Sequence, residues 1–173
     1  EVTMVEIDRS VVDLCSEYLP SLNSGAFEHP RFNLVITDGC KFVAETEERW
    51  DVIIVDSTDP IGPGEVLFTE AFYADCKRCL SEGGILVTQN GCPAVQGSEV
   101  SDSFNRLRPS FGDVSFYLAP VPTYQGGFMA FGWATDNADL RRQSVELLEK
   151  RFDPQGIKTR YYTPAVHAAS FAL

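Results

Sequence analysis

Apolar and polar positions along the chain switch between two periods. "VTMVEI" (2–7), "FNLVIT" (32–37), "DVIIVD" (51–56) and "ILVTQN" (85–90) are short runs rich in β-branched residues and predict strands. Between them lie segments of helical period. In "SVVDLCSEYL" (10–19), Val11, Val12, Leu14, Cys15, Tyr18 and Leu19 form one stripe, with Ser10 as the expected N-cap and Pro20 as the stop. "SLNSGAFEHPR" reads as a loop, and "DGCKFVAET" starts a short helix after the second strand. "TEAFYADCKRCL" (69–80) predicts an amphipathic helix ended by "SEGG", and "SEVSDSFNRLRPSF" (98–111) a helix that Pro109 terminates. "VSFYLAPV" (114–121) and "GFMAFGWAT" (127–135) predict two strands joined by "PTYQG", close enough to pair antiparallel at one edge. "DLRRQSVELLEKRF" (139–152) predicts a helix, and "RYYTPAVHAASFAL" a strand, a turn and a last helix.

This order implies an open α/β sheet in a single domain, with no internal repeat and no low-complexity tract. The run Val52–Val55 is apolar without interruption, as expected of a parallel strand covered on both faces. It leads directly into Asp56, then Asp59, then a loop containing Pro60, Gly62, Pro63 and Gly64.

At 173 residues the chain is long enough for a domain with its own core, and 44% hydrophobic with 23% charged residues is ordinary for a soluble globular protein. No apolar run is long enough for a transmembrane helix, and no signal peptide is visible, so no membrane partner is expected and the cytoplasm is the expected location. The chain opens "EVTMVEID", without Met and already strand-like, which leads us to expect that residues of the protein precede it. A net charge of −11 disfavours nucleic acid as a partner. The five cysteines include Cys76-x-x-Cys79, but it falls at a helix end with no second pair and no nearby His, so free thiols are expected rather than zinc or a redox pair.

Open α/β sheets bind ligands beyond the carboxyl ends of their strands. Acidic residues stand there on three successive strands: Glu6, with Asp8 behind it; Asp38, before Gly39; and Asp56. A carboxylate ending a second Rossmann strand suits a ribose diol, because both oxygens accept hydrogen bonds; the Gly-rich loop that normally precedes it is absent. Asp38 is equally suited to cap a helix, and Asp59, before Pro60, to an Asx-type turn. If Asp56 and Asp59 converge on one cavity, the negative slot they form wants a metal or an organic cation. Neither His29 nor His167 is near it in sequence, and the aromatic "PTYQGGF", with Tyr124, favours an amine.

"VEID", "TDG", "DVIIVDSTDPIGPGEVLFTEAFY", "QNG", "PTYQGGFMAFGWATDN" and "RYYTPAVHAASFAL" together resemble the spermidine synthases, polyamine aminopropyltransferases of bacterial type, over nearly the whole chain. The resemblance implies a Rossmann-like, class I methyltransferase-type open sheet with an antiparallel edge. It implies transfer of an aminopropyl group from decarboxylated S-adenosylmethionine to putrescine, giving spermidine and methylthioadenosine, without a prosthetic group or metal. By the same resemblance, Asp56 accepts the proton, Asp59 anchors the diamine, and Ser57 and Tyr124 lie on the amine side. Glu6 takes the ribose hydroxyls, Asp38 and Gly39 stand beside the adenine, and Pro63 lies in a loop that closes over the nucleoside. The family's N-terminal β domain and first Rossmann strand with its Gly-rich loop are not in this chain, so 1–173 reads as a partial catalytic domain, incomplete at the N-terminus, inactive by itself and with strand edges left open. A homo-oligomer is implied for the whole enzyme. Two neighbouring readings share these residues: a putrescine N-methyltransferase using S-adenosylmethionine, and a non-catalytic polyamine-binding relative.

Overall fold

The computed structural model describes residues 1–172, and contacts divide the chain into two compact units, Glu1–Glu47 and Glu48–Leu173. The first contains β1 (Val2–Glu6), α1 (Arg9–Tyr18), α2 (Pro20–Asn23), β2 (Phe32–Ile36) and α3 (Gly39–Glu45). The strands pair in parallel, from Val2 opposite Phe32 to Glu6 opposite Ile36, so Glu6 and Asp38 stand at the same end. Asp8, not Ser10, caps α1: its Oδ1 accepts from the Ser10 N–H (2.8 Å) and hydroxyl (2.5 Å), and these bonds hold its carboxyl below the usual range. Pro20 stops α1 as expected, yet it occupies the first turn of α2, where its missing N–H costs nothing. Of the stripe predicted on α1, only Val12 is buried.

The second unit contains β3 (Trp50–Val55), a 3₁₀ helix (Gly62–Phe68), α4 (Glu70–Arg78), β4 (Leu80–Gln89), α5 (Pro93–Leu107), β5 (Asp113–Pro120), β6 (Phe128–Thr135), α6 (Val145–Phe152) and α7 (Pro164–Ser170). Its sheet has the order β3-β4-β6-β5; β3 and β4 are parallel, and β6 runs antiparallel to both β4 and β5. The antiparallel edge is therefore present. β6 lies between β4 and β5, and the approach is closest at Gly132, where a Cβ would lie 2.3 Å from Thr88 Oγ1. Phe68, Phe72, Tyr73, Cys76, Leu86, Leu107 and Ala134 form the core, and a bidentate pair from Arg141 to Asp113 (2.6 and 2.8 Å) ties the start of β5 to the segment after β6.

Several expectations are corrected. Val52 and Ile54 are exposed (48% and 70%) although the run around them is apolar throughout; β3 packs chiefly on β4. "SEGG" lies inside β4, where Gly83 at φ +73° supports a bulge between the Trp50–Leu80 and Val52–Ile85 pairs. α5 begins five residues early, with Pro93 in its first turn, and is kinked at Gln96 (φ −129°, ψ 35°). The helix expected over 139–152 starts only at Val145, because the Ser144 hydroxyl caps it by accepting from the Leu147 N–H. Among the described residues the tail carries α7 but no strand; Phe171 anchors it against Tyr117 and Trp133, each ring 5.3 Å away. No helix among the described residues is long and apolar enough to cross a membrane.

Candidate active site

Parallel pairing of β3 and β4 brings residues 56–59 and 89–92 to one end of the four-stranded sheet, and the reversed β6 brings the loop 121–127 to that same end. Asp56, Ser57, Asp59 and Tyr124 thus surround the carboxyl end of β3 and β4, as the open-sheet rule requires. Asp56 and Asp59 are exposed, Ser57 is half-buried with no partner for its hydroxyl, and Tyr124 is 54% exposed. Tyr124 sits in a tight turn closed by the Tyr124 N–H to the Val121 carbonyl (3.0 Å) and the Gly127 N–H to the Tyr124 carbonyl (3.1 Å).

The loop after β3 is folded on itself. The Ile61 N–H donates to the Asp59 carbonyl (2.7 Å), and a Cβ on Gly64 would meet Thr58 Oγ1 at 2.5 Å and that same carbonyl at 3.1 Å. Pro63 is exposed in the first turn of the 3₁₀ helix that follows.

β4 ends in a buried polar corner. Asn90 is fully buried; its Oδ1 accepts from the Thr88 hydroxyl (2.7 Å) and the Gly132 N–H (3.0 Å), and its Nδ2 donates to Ser103 Oγ on α5 (2.7 Å). One side chain thereby joins β4, β6 and α5 at the strand end, and every polar group it meets is satisfied. With its amide nitrogen turned toward Ser57, Gln89 donates to the Ser57 carbonyl (3.2 Å) and accepts from the Gly91 N–H (3.1 Å).

Gly91 (φ +66°) makes room for Gln96: a Cβ there would lie 2.6 Å from Gln96 Oε1. Gln96 Oε1 accepts from the Cys92 N–H (2.9 Å), while its Nε2 faces two carboxylates, Asp59 Oδ2 at 3.0 Å and Glu99 Oε2 at 3.4 Å. Glu99 is 8% exposed, and its Oε1 is buried without a partner. Burial, then the nearby Asp59 carboxylate, push its pKa up to about 7. Beside it lies a cavity of 520 Å³ whose wall includes Pro60, Glu65, Glu70, Glu99, Asp102 and Arg106. Asp56 and Asp59 do not line this cavity; the buried carboxylate in its wall is Glu99.

Within the first unit, Glu6 is half-buried at the end of β1 and accepts the Asp8 N–H (2.9 Å). Asp38 caps α3, its Oδ1 accepting from the Lys41 N–H (3.0 Å), and Gly39 opens that helix. Asp38 therefore has the capping role that its position before a helix allowed. The two histidines have local roles: His29 Nδ1 accepts the Arg31 N–H, and His167 pairs with the Tyr162 hydroxyl at 3.2 Å, its pKa lowered by burial. None of the five cysteines, all among the described residues, is in a disulfide, and Cys76, Cys79 and Cys92 are buried.

Sequence reading missed Asn90, Gln96 and Glu99. Gln96 and Glu99 do stand at i and i+3, a spacing that places side chains together on a helix, but the helix was expected to start only at 98, which left Gln96 outside it.

The chain belongs to the family of the spermine/spermidine synthase domain, whose sequence profile matches residues 1–144. It is 57% identical over 172 residues to the polyamine aminopropyltransferases of Salmonella newport (strain SL254) and Salmonella agona (strain SL483), alignments that cover 99% of this chain and 60% of each relative. The chain thus spans 60% of the length of these curated relatives. Among solved structures it superposes on a spermidine synthase in complex with the transition-state analogue AdoDATO, with a TM-score of 0.87 and 32% identity over 99% of this chain and 57% of that one. The spermidine synthase of Thermotoga maritima gives a TM-score of 0.85 at 30% identity, over 99% of this chain and 56% of its own. The fold is accordingly of the class I methyltransferase type.

Proposed function

We propose that the protein carrying this chain transfers an aminopropyl group from decarboxylated S-adenosylmethionine to putrescine, and that this chain supplies the amine-facing part of its active site. One observation carries the reading: Asp56, Ser57 and Asp59 are presented together on the loop that ends β3, with Asp59 oriented by the Gln96 amide. The relation to a spermidine synthase that binds AdoDATO supports the same chemistry.

In this reaction an amine nitrogen attacks the methylene carbon bonded to the sulfonium sulfur. The C–N bond forms as the C–S bond breaks, its electron pair stays on sulfur to give the neutral thioether methylthioadenosine, and the new secondary ammonium gives up a proton. Asp56 accepts that proton and holds the nitrogen in line. Alkylamines titrate near Lys, about 10.4, so a carboxylate is needed chiefly to orient the nitrogen. Asp59 pairs with the diamine's ammonium, and Ser57 and Tyr124 line the amine side. The charge already on sulfur makes its departure favourable without a metal. Glu6 receives the ribose hydroxyls; Asp38 and Gly39 stand beside the adenine, and Pro63 belongs to the loop that covers the nucleoside. In this reading the remainder of the relatives' length supplies the N-terminal β domain and the first Rossmann strand, and the exposed Val52 and Ile54 are in keeping with a β3 face that other residues cover. A cytoplasmic homo-oligomer completes the proposal; the cytoplasmic setting is in keeping with five cysteines outside disulfides.

Asp56→Asn in the whole protein tests it. Turnover should fall about 10²–10⁴-fold with donor affinity nearly unchanged. Turnover equal to that of the unaltered protein removes Asp56 from the mechanism.

A further inference from the structure

Glu99 has features that the proton-accepting and anchoring roles of Asp56 and Asp59 do not use. A largely buried carboxylate with one oxygen unpartnered is costly unless a cation or a proton meets it. Arg106 shares the cavity wall but donates to the Phe68 carbonyl (3.1 Å). The other charged groups around Glu99 are acidic: Asp59 from the loop after β3, Glu65 from the 3₁₀ helix, Glu70 from α4 and Asp102 from α5 itself. Tyr73, from α4, is neutral, its pKa raised by burial to about 12. A ligand matching this cavity must bring positive charge. Among the described residues no three Asp, Glu, His or Cys groups are gathered closely enough to hold a metal ion.

We propose that this cavity is a second ammonium subsite, in which Glu99, joined to Asp59 through Gln96, holds a further protonated nitrogen of a linear alkyl polyamine whose first nitrogen lies at Asp59. The inference rests on the reading of Asp59 as the amine anchor. Because the Gln96 amide reaches both carboxylates, the two anchors are separated by one side-chain amide, a spacing that a short methylene chain can bridge. The occupant is thus a triamine or longer amine, bound as an acceptor.

Protonation gives a direct signature. At pH 7 Glu99 is about half protonated, and an ammonium arriving beside it expels that fraction as free protons. Calorimetry on the whole protein, in two buffers of different ionisation enthalpy at pH 7, would use three probes: a linear triamine with three- and four-carbon spacers, a diamine and MgCl₂. The triamine should bind about tenfold more tightly than the diamine and release about half a proton. Both differences should vanish in Glu99→Gln, and Glu65→Gln, on the exposed wall, should weaken the triamine several-fold. Equal affinity for the two amines, triamine binding that survives Glu99→Gln, no amine binding at all, or the same proton release from Mg²⁺ would each overturn the subsite. A parallel transfer assay separates the two proposals: Glu99-dependent triamine binding without transfer keeps the subsite and rejects the enzyme, whereas transfer with Glu99-independent binding does the reverse.

Discussion

Glu99→Gln should alter how stability depends on pH. An ordinary glutamate titrates near 4.5, whereas Glu99 in the fold titrates at about 7. Between these values the folded chain keeps a proton that the unfolded chain has lost. Stability therefore falls as pH rises from about 4.5 to about 7, and the full cost is present above that window. At 1.36 kcal/mol per pH unit the raised value corresponds to about 3 kcal/mol, which solvent screening at this partly open site reduces to about 1–2 kcal/mol. The carboxamide has nearly the same shape and still offers an acceptor to Gln96 Nε2, so the change isolates the charge. The variant should match the parent at pH 4.5 and exceed it by about 1–2 kcal/mol at pH 8. With urea, whose slope is about 1–3 kcal/mol per M, the midpoint should move up by about 0.5–1 M at pH 8 and stay put at pH 4.5. A midpoint shift of the same size at both pH values, or a variant less stable at pH 8, would refute the assignment of a buried, repelled carboxyl.

Two further outcomes concern the strand end. Asn90→Ala leaves the Gly132 N–H and the Thr88 and Ser103 hydroxyls without their partner and should cost about 3–4 kcal/mol, read by chemical denaturation; a loss below about 1 kcal/mol would mean the corner is not held by that side chain. Gly91→Ala combines a left-handed backbone with a collision against Gln96 and should cost about 1–2 kcal/mol while loosening Gln96 from Asp59; unchanged stability would contradict the tight approach.

Local signals carried much of the architecture. The strands at 2–7, 32–37, 51–56, 114–121 and 127–135 and their order were legible, because runs of β-branched and aromatic residues bounded by Gly, Pro and Asp admit few other readings. Boundaries were read wrongly where a side chain decides between adjacent starts. Asp8 captures the cap of α1 by binding Ser10, Ser144 delays α6, and Pro93 opens α5 early. The bulge at Gly83 was illegible for a related reason: "SEGG" suits a helix end as well as a strand irregularity, and only pairing with β3 chooses.

The sequence by itself determined the kinds of group on offer: a strand running into Asp56, Ser57 and Asp59, a turn holding Tyr124, and acidic residues ending β1 and β3. These follow from covalent order and local propensity. What only the tertiary structure decided is which groups share surroundings. Gln96 lies 37 positions from Asp59, yet one amide proton donor joins them. Asn90 meets Gly132 across 42 positions because β6 enters between β4 and β5. Whether a carboxylate is exposed, as Asp56 is, or buried and short of partners, as Glu99 is, depends on what the chain folds over it. Desolvation and repulsion between charges are properties of the assembled site, and no spacing along the chain records them.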